Sequence, residues 1–320
     1  MAWTLHDLSA QHGRRVLITG ATGGLGYETA LALAGAGARV LLTGRNAAKG
    51  AAALATIRAR HPDAAIAYDT LDLSSLASVS AFAARYADAH TSLDLLINNA
   101  GVMAPPTRHA TGDGFELQFG SNYLGHYALT AQLLPQLRRG RSPRVVNLSS
   151  LAHRRGAAIH FDDLQWQRRY RAWGAYAQSK LAMLLFAFEL QRRSDAQGWG
   201  LMSNACHPGY ARTGLQSSGP RLGRGGRASW SERLLGGVLE PWLSQSAADG
   251  ALPTLYAAAA EQAEAGAYYG PQGAFEFKGP PGPAKIAAPA RDAAVAAQLW
   301  DVSARLTGVQ WPHAAAGVGA

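Results

Sequence analysis

The sequence predicts an α/β protein: a doubly wound, open parallel sheet of about seven strands flanked by helices, forming one domain over residues 1–320. Three observations carry that expectation. Short apolar runs alternate with alanine-rich amphipathic stretches from residue 14 to about residue 150, the βαβα pattern of a sheet covered on both faces. The first of those runs passes without a break into a cluster of glycines and then into a helix-spaced stretch, as at the binding edge of open α/β sheets. Apolar residues make up 48% of the chain and charged residues 16%, a composition that can bury a large core and is far from that of a disordered chain.

Strands are expected at residues 15–19, 39–42, 65–68, 93–97 and 144–148, where short Val-, Leu- and Ile-rich runs recur. Residues 24–35, 47–60, 74–87 and 122–138 set small and large apolar side chains at helical spacing and read as the crossover helices between them. A helix over residues 172–193 and a strand at 202–206 continue the sheet past its switch point. Beyond His207-Pro208-Gly209, residues 213–227 break into Gly, Ser, Pro and Arg. Trp230, Leu234, Leu235, Val238, Leu239 and Trp242 then form an apolar stripe interrupted by Pro241. We read residues 213–245 as a substrate lid; a membrane-touching surface and a subunit contact are the other readings of the stripe. A helix over 247–260, a short strand near 267–269, a Pro/Gly-rich turn at 279–283 and a helix over 292–306 complete the chain.

The formal charge of +9 would suit a nucleic-acid or membrane-surface partner if it were concentrated. It is scattered: clusters such as Arg138-Arg139-Gly140-Arg141 and Arg168-Arg169-Tyr170-Arg171 fall near expected element ends, where cations meet solvent. No nucleic-acid partner is expected. Cys206 is the lone cysteine, which rules out an internal disulfide or a Cys-rich metal site and accords with a reducing compartment, the cytoplasm by default. No stretch reaches the ~18–20 uninterrupted apolar residues of a membrane span, so no integral span is expected. His153 and His160 lie in a loop without metal-ligand spacing, and no metal is assigned.

Function concentrates in a few places. Thr19-Gly20-Ala21-Thr22-Gly23-Gly24-Leu25-Gly26 joins the first strand to the first helix. Gly20 permits a sharp turn, Gly24 lets backbone approach a pyrophosphate, and Gly26 allows helix to pack on strand, with amides at the helix start facing the anion. At the end of the second strand, Leu42-Thr43-Gly44-Arg45-Asn46 lacks the acidic residue that would accept the ribose hydroxyls of NAD(H), and Arg45 offers a guanidinium to a 2′-phosphate. NADP(H) is therefore expected over NAD(H). Tyr176 and Lys180 stand four apart in a helix and share a face. A free phenol near pKa 10 is a poor acid at neutral pH, and Lys180 with a positive nicotinamide would lower that value.

The Thr-Gly-x-x-x-Gly-x-Gly spacing, Asn98-Asn99-Ala100-Gly101, Asn122, Ser149-Ser150, Tyr176-Ala177-Gln178-Ser179-Lys180 and His207-Pro208-Gly209 with Thr213 follow one another in the order of the short-chain dehydrogenase/reductase family, which the chain resembles over about two hundred residues. The resemblance implies a Rossmann fold and hydride transfer between NAD(P)(H) and an alcohol or carbonyl carbon of a small molecule. It implies roles as well: Thr22, Gly23, Leu25, Ala100, Gly101, Pro208 and Gly209 along the cofactor, Asp72 and Leu73 beside its adenine, Asn99 beside the adenosine ribose, Thr213 near the carboxamide. Ser150 would bind the substrate oxygen, Tyr176 act as acid and base, Lys180 also hold the nicotinamide ribose, and Asn122 support a relay water. Relatives are often dimers or tetramers.

Twenty-five residues separate Ser150 from Tyr176, about a dozen more than the shortest members use. Ser149 to His153, Ile159 to Leu164 and Asn122 to His126 are similar to the branch of retinol dehydrogenases, protochlorophyllide reductases and the WW-domain oxidoreductase, which implies a medium-to-large apolar substrate. A chain that only binds NADP(H), as a sensor or scaffold, is the alternative.

Overall fold

The computed structural model describes residues 2–211 and 244–312. Its sheet contains β1 (Arg15–Ile18), β2 (Arg39–Gly44), β3 (Ile66–Thr70), β4 (Leu95–Asn98), β5 (Arg144–Leu148), β6 (Met202–Cys206), β7 (Tyr268–Pro271) and β8 (Pro281–Pro283), in the order β3-β2-β1-β4-β5-β6-β7-β8. Every pairing is parallel except β7 with β8. The expected open α/β sheet is present. β1 lies between β2 and β4, with Ile18 level with both Leu42 and Ile97. That is the switch point where such sheets open a crevice.

The central strands β1 and β4 read as nearly unbroken apolar runs because both faces are buried. On β1, Leu17 joins one core while Val16 and Ile18 join the other, and on β4 Leu96 parts from Leu95 and Ile97 in the same way. One face is covered by α1 (Gly24–Gly35), α2 (Ala47–Arg60) and α6 (Ala247–Ala259). The other carries α3 (Leu76–Ala89), α4 (Gly125–Leu137), α5 (Ala172–Gln197) and α7 (Ala293–Thr307). The long α5 is buried along most of its length and ends at Gly198, whose φ of 62° is the left-handed turn that closes a helix.

Two elements depart from expectation. The Pro/Gly-rich segment at 279–283 contains an eighth strand, with Gly270 opposite Gly282 and Pro271 opposite Pro281. Proline is tolerated there because β8 is at the edge, where a missing N–H costs no ladder bond. The helix expected from residue 122 begins earlier, through a π-helical turn at Gly120–Leu124 that runs straight into α4. Such turns recur at functional sites, and this one contains Asn122.

Candidate active site

β1 delivers the glycine cluster to the C-terminal edge of the sheet. Gly20 has φ 65°, and a Cβ there would lie 2.9 Å from Ala100. A Cβ at Gly26 would lie 2.5 Å from Asn99 Nδ2 and 2.7 Å from the Gly20 carbonyl. These two glycines thus let the loop lie against Asn99 and Ala100. Gly26→Ala is expected to lower the unfolding free energy by about 1–3 kcal/mol and to weaken NADPH binding; an unchanged urea midpoint would contradict this packing.

Gly23 differs: it is exposed, and a Cβ on it would meet nothing within 4 Å. As N-cap of α1 it supplies no side-chain cap, and the first turn holds no acidic residue. The first amides of α1, beside Gly24 and Leu25, are thus left for an anion. Thr22 packs against the end of β2, its Cγ2 3.1 Å from where a Gly44 Cβ would stand. Arg45 is exposed, and Asn46 caps α2 by accepting from the Lys49 amide at 3.0 Å. Asp72 accepts from the Ser74 amide and hydroxyl at 2.9 and 2.6 Å, and the neighbouring Leu73 is buried.

On the other side of the switch point Asn99 Nδ2 donates to the carbonyls of Thr19 at 2.7 Å and Gly20 at 3.3 Å. A Cβ on Gly101 would lie 3.2 Å from Asn122 Oδ1 and 3.6 Å from Lys180 Nζ. Asn122 Oδ1 accepts from the Val102 amide at 2.7 Å, and its Nδ2 donates to Val102 O at 2.9 Å and Ser179 Oγ at 3.0 Å. Its side chain is thus held at both ends, and its backbone carbonyl, 2.8 Å from His126 Nδ1, keeps a second lone pair for a water.

Tyr176 and Lys180 are buried on α5, with Nζ 5.9 Å from the phenol ring centre. Lys180 donates to Leu148 O at 3.0 Å, one of the three bonds an ammonium can make. The two serines separate cleanly. Ser149 is buried and gives its hydroxyl to Lys180 O at 2.8 Å, whereas Ser150 is part-exposed and hydrogen-bonds the Tyr176 side chain. Burial pushes the Tyr176 phenol up to about 12, against the Ser150 bond, and pushes Lys180 down to about 8. In the protein alone burial is the largest influence on the phenol; the expected lowering by Lys180 with a positive nicotinamide concerns the complex with nucleotide.

His207-Pro208-Gly209 closes the far side. Gly209 has φ 64°, and a Cβ there would lie 2.3 Å from Phe277 O; Pro208 O accepts from Gln245 Nε2 at 2.8 Å. His207 Nδ1 accepts from the Gly209 amide at 3.1 Å, and its Nε2 meets Glu276 at 3.0 Å, which also pairs with Arg154. Glu276 and Arg154 escaped the sequence reading. Thr213 and residues 213–243 lie outside the described residues, apart from which Ser244 and Gln245 end the expected lid. His153 is buried, with Nδ1 2.7 Å from Ser150 O, so it packs behind the serine. His126, also missed, bridges Thr19 and Asn122; its spacing of four from Asn122 was the available signal.

The glycine turn with an uncapped helix start, and a buried Tyr and Lys beside a part-exposed Ser, suit an α/β oxidoreductase built around a dinucleotide. The comparisons with known proteins make this specific. The family model described as short chain dehydrogenase matches residues 14–221. The chain is 43% identical to retinol dehydrogenase 13 of Homo sapiens over 304 residues, 94% of this chain and 86% of that protein. It is 39% identical to polyprenol dehydrogenase of Mus musculus over 94% of this chain and 86% of that one. A crystal structure from Mycobacterium paratuberculosis shares 40% identity and a TM-score of 0.78, covering 98% of this chain and 100% of the other. A short chain dehydrogenase of Escherichia coli CFT073 complexed with NADPH shares 28% identity and a TM-score of 0.55, over 66% and 82%. The chain belongs to the short-chain dehydrogenase family, in its retinol dehydrogenase-like branch.

Proposed function

We propose that this chain interconverts an alcohol and a carbonyl on a medium-to-large apolar substrate, using NADP(H) in preference to NAD(H), with Tyr176 as general acid and base. The observation that carries the reading is the Tyr176 side chain hydrogen-bonded to part-exposed Ser150 above a buried Lys180 with donors to spare. Bound NADP(H) supplies or takes up the hydride. Ser150 and Tyr176 hold the substrate oxygen between them, and Tyr176 gives that oxygen its proton in reduction and takes it back in oxidation. Lys180 binds the nicotinamide ribose and, through its charge, favours the phenolate. The Asn122 carbonyl supports the water that resupplies the proton.

The cofactor residues fit the group. The α1 amides and Gly23 would receive the pyrophosphate, Asn99, Asp72 and Leu73 the adenosine, and Gly101, Pro208 and Gly209 the nicotinamide side. The exposed Arg45 would meet the 2′-phosphate. Arg45→Ala is expected to weaken NADPH by roughly 10- to 100-fold while changing NADH little, the loss of one charge-assisted pair; equal affinity of the wild type for both nucleotides would remove the preference.

An apolar substrate is supported by the relatives' names, retinol and polyprenol dehydrogenases, and by Trp173, 62% exposed with its ring 5.9 Å from that of Tyr176. Among the described residues no helix is long and apolar enough to cross a membrane. The test is turnover of NADPH or NADH with aldehydes and ketones running from short aliphatics to retinal and steroid ketones. Oxidation of NADPH rising with the bulk of the carbonyl supports the reading; tight NADPH binding without turnover across the panel would move it to a sensor.

A further inference from the structure

None of the steps above uses the imidazole of His126. It stands in the first turn of α4 and is fully buried. Its Nδ1 is 2.8 Å from Asn122 O and its Nε2 is 2.8 Å from Thr19 Oγ1. The hydrogens follow from the partners. A carbonyl only accepts, so Nδ1 carries the proton. Burial pushes the ring's pKa down to about 3, overriding the Asn122 bond, so the ring is neutral and Nε2 is bare. Thr19 Oγ1 already accepts the amides of Asn99 at 2.9 Å and Ala100 at 3.0 Å, and its own hydrogen goes to Nε2 in preference to Ile97 O at 3.3 Å.

Each end of this bridge is a junction. The Thr19 hydroxyl fixes the Asn99 and Ala100 backbone, against which Gly20 and Gly26 pack, so that end underlies the glycine loop. The Asn122 end holds Val102 and Ser179, and Ser179 in turn donates to Tyr176 O at 2.8 Å. A neutral imidazole is one rigid ring with a donor on one side and an acceptor on the other. An apolar side chain of its size would leave Asn122 O without its donor and Thr19 without its nearer acceptor, a cost incurred at two places in the site.

We propose that His126 is a positioning residue that joins the dinucleotide loop to the Asn122–Tyr176 face, its Thr19 bond shaping the cofactor cradle and its Asn122 bond shaping the proton-transfer face. The inference rests on the function proposed above. His126→Asn keeps an amide N–H within reach of Asn122 O but cannot reach Thr19; His126→Gln reaches Thr19 but not Asn122; His126→Leu does neither. NADPH dissociation constants from fluorescence titration, kcat with the best carbonyl, and thermal midpoints are measured for all three.

The Asn variant is expected to raise the NADPH Kd on the order of tenfold with kcat within about threefold of wild type, and the Gln variant to do the reverse. The Leu variant should show both losses; if it does not fold, the Asn and Gln pair decides. Equal falls in thermal midpoint with Kd and kcat unchanged, or Asn and Gln variants that shift Kd and kcat in the same proportion, would overturn the proposal and leave His126 as packing. A wild type that binds NADPH but reduces nothing overturns the catalytic reading alone, because the Asn variant's Kd is still read.

Discussion

Tyr176→Phe is expected to cut kcat/KM by roughly 10³-fold or more, while NADPH affinity changes by less than about threefold. The substitution removes one hydroxyl and keeps the ring that packs beside Trp173 and over Lys180. It therefore leaves the walls of the site standing and takes away the hydroxyl that hydrogen-bonds Ser150. The burial that holds the phenol at about 12 in the protein alone is part of this expectation. A phenol so disfavoured as phenolate needs additional positive charge before it gives up its proton near neutral pH, which Lys180 and an oxidised nicotinamide would supply. Stopped-flow NADPH oxidation and fluorescence titration, run side by side on both proteins, separate the two quantities. A variant that retains a tenth of wild-type turnover would take the acid role from Tyr176.

A second large effect is expected from acid. Burial holds His126 at about 3 and His153 at about 4 in the folded protein, both below the ordinary 6.5. Above pH 6.5 each is neutral whether folded or unfolded, and neither makes stability pH-dependent. Below it the unfolded chain takes up protons that the folded one refuses, so stability falls with pH. Two such groups cost about 1.4 kcal/mol per pH unit each, on the order of 5 kcal/mol between pH 6.5 and 4, a large share of a typical folding free energy. Glu276 acts in the same direction. Burial would raise it, but hydrogen bonds from His207, Arg154 and the Lys285 amide bring it down to about 2. Its contribution is complete above the carboxylate's ordinary value near 4.5 and is lost as pH falls toward 2. Urea unfolding at half-unit steps from pH 7.5 to 4 should show the midpoint falling steeply below pH 6.5. A flat midpoint down to pH 5 would contradict the buried neutral histidines.

The parallel sheet was legible because its strands are buried on both faces: runs such as Val16-Leu17-Ile18 have no polar alternate residues to confuse them with helix or loop. β8 was not, since Pro281-Gly282-Pro283 carries the chemistry of a turn and becomes a strand only because β7 is there to pair with it. The π-helical turn at Asn122 leaves no mark on apolar spacing.

In the site, residues of local motifs could be singled out from sequence, and the fold sets Ser149 against Lys180 O and Ser150 against Tyr176. Residues that act through distant partners could not. Glu276 meets Arg154 across 122 positions, and it does so from a left-handed backbone, φ 59° beside Phe275 at 55°, that neither residue type announces. His126 and His153 read as an unremarkable helix residue and a loop residue. Only the fold brings Thr19 to the first and Tyr268 to the second.

Hydride transfer from the nucleotide to a substrate carbon at the Tyr176 site is the step on which the proposed function stands. It is tested most directly by supplying NADPH deuterated at the transferable C4 position, with the best carbonyl of the panel, and weighing the alcohol by mass spectrometry. One deuterium on the carbinol carbon is expected with wild type and no labelled alcohol above background with Tyr176→Phe; unlabelled alcohol, or labelled alcohol formed equally well by the variant, would rule out hydride transfer at this site.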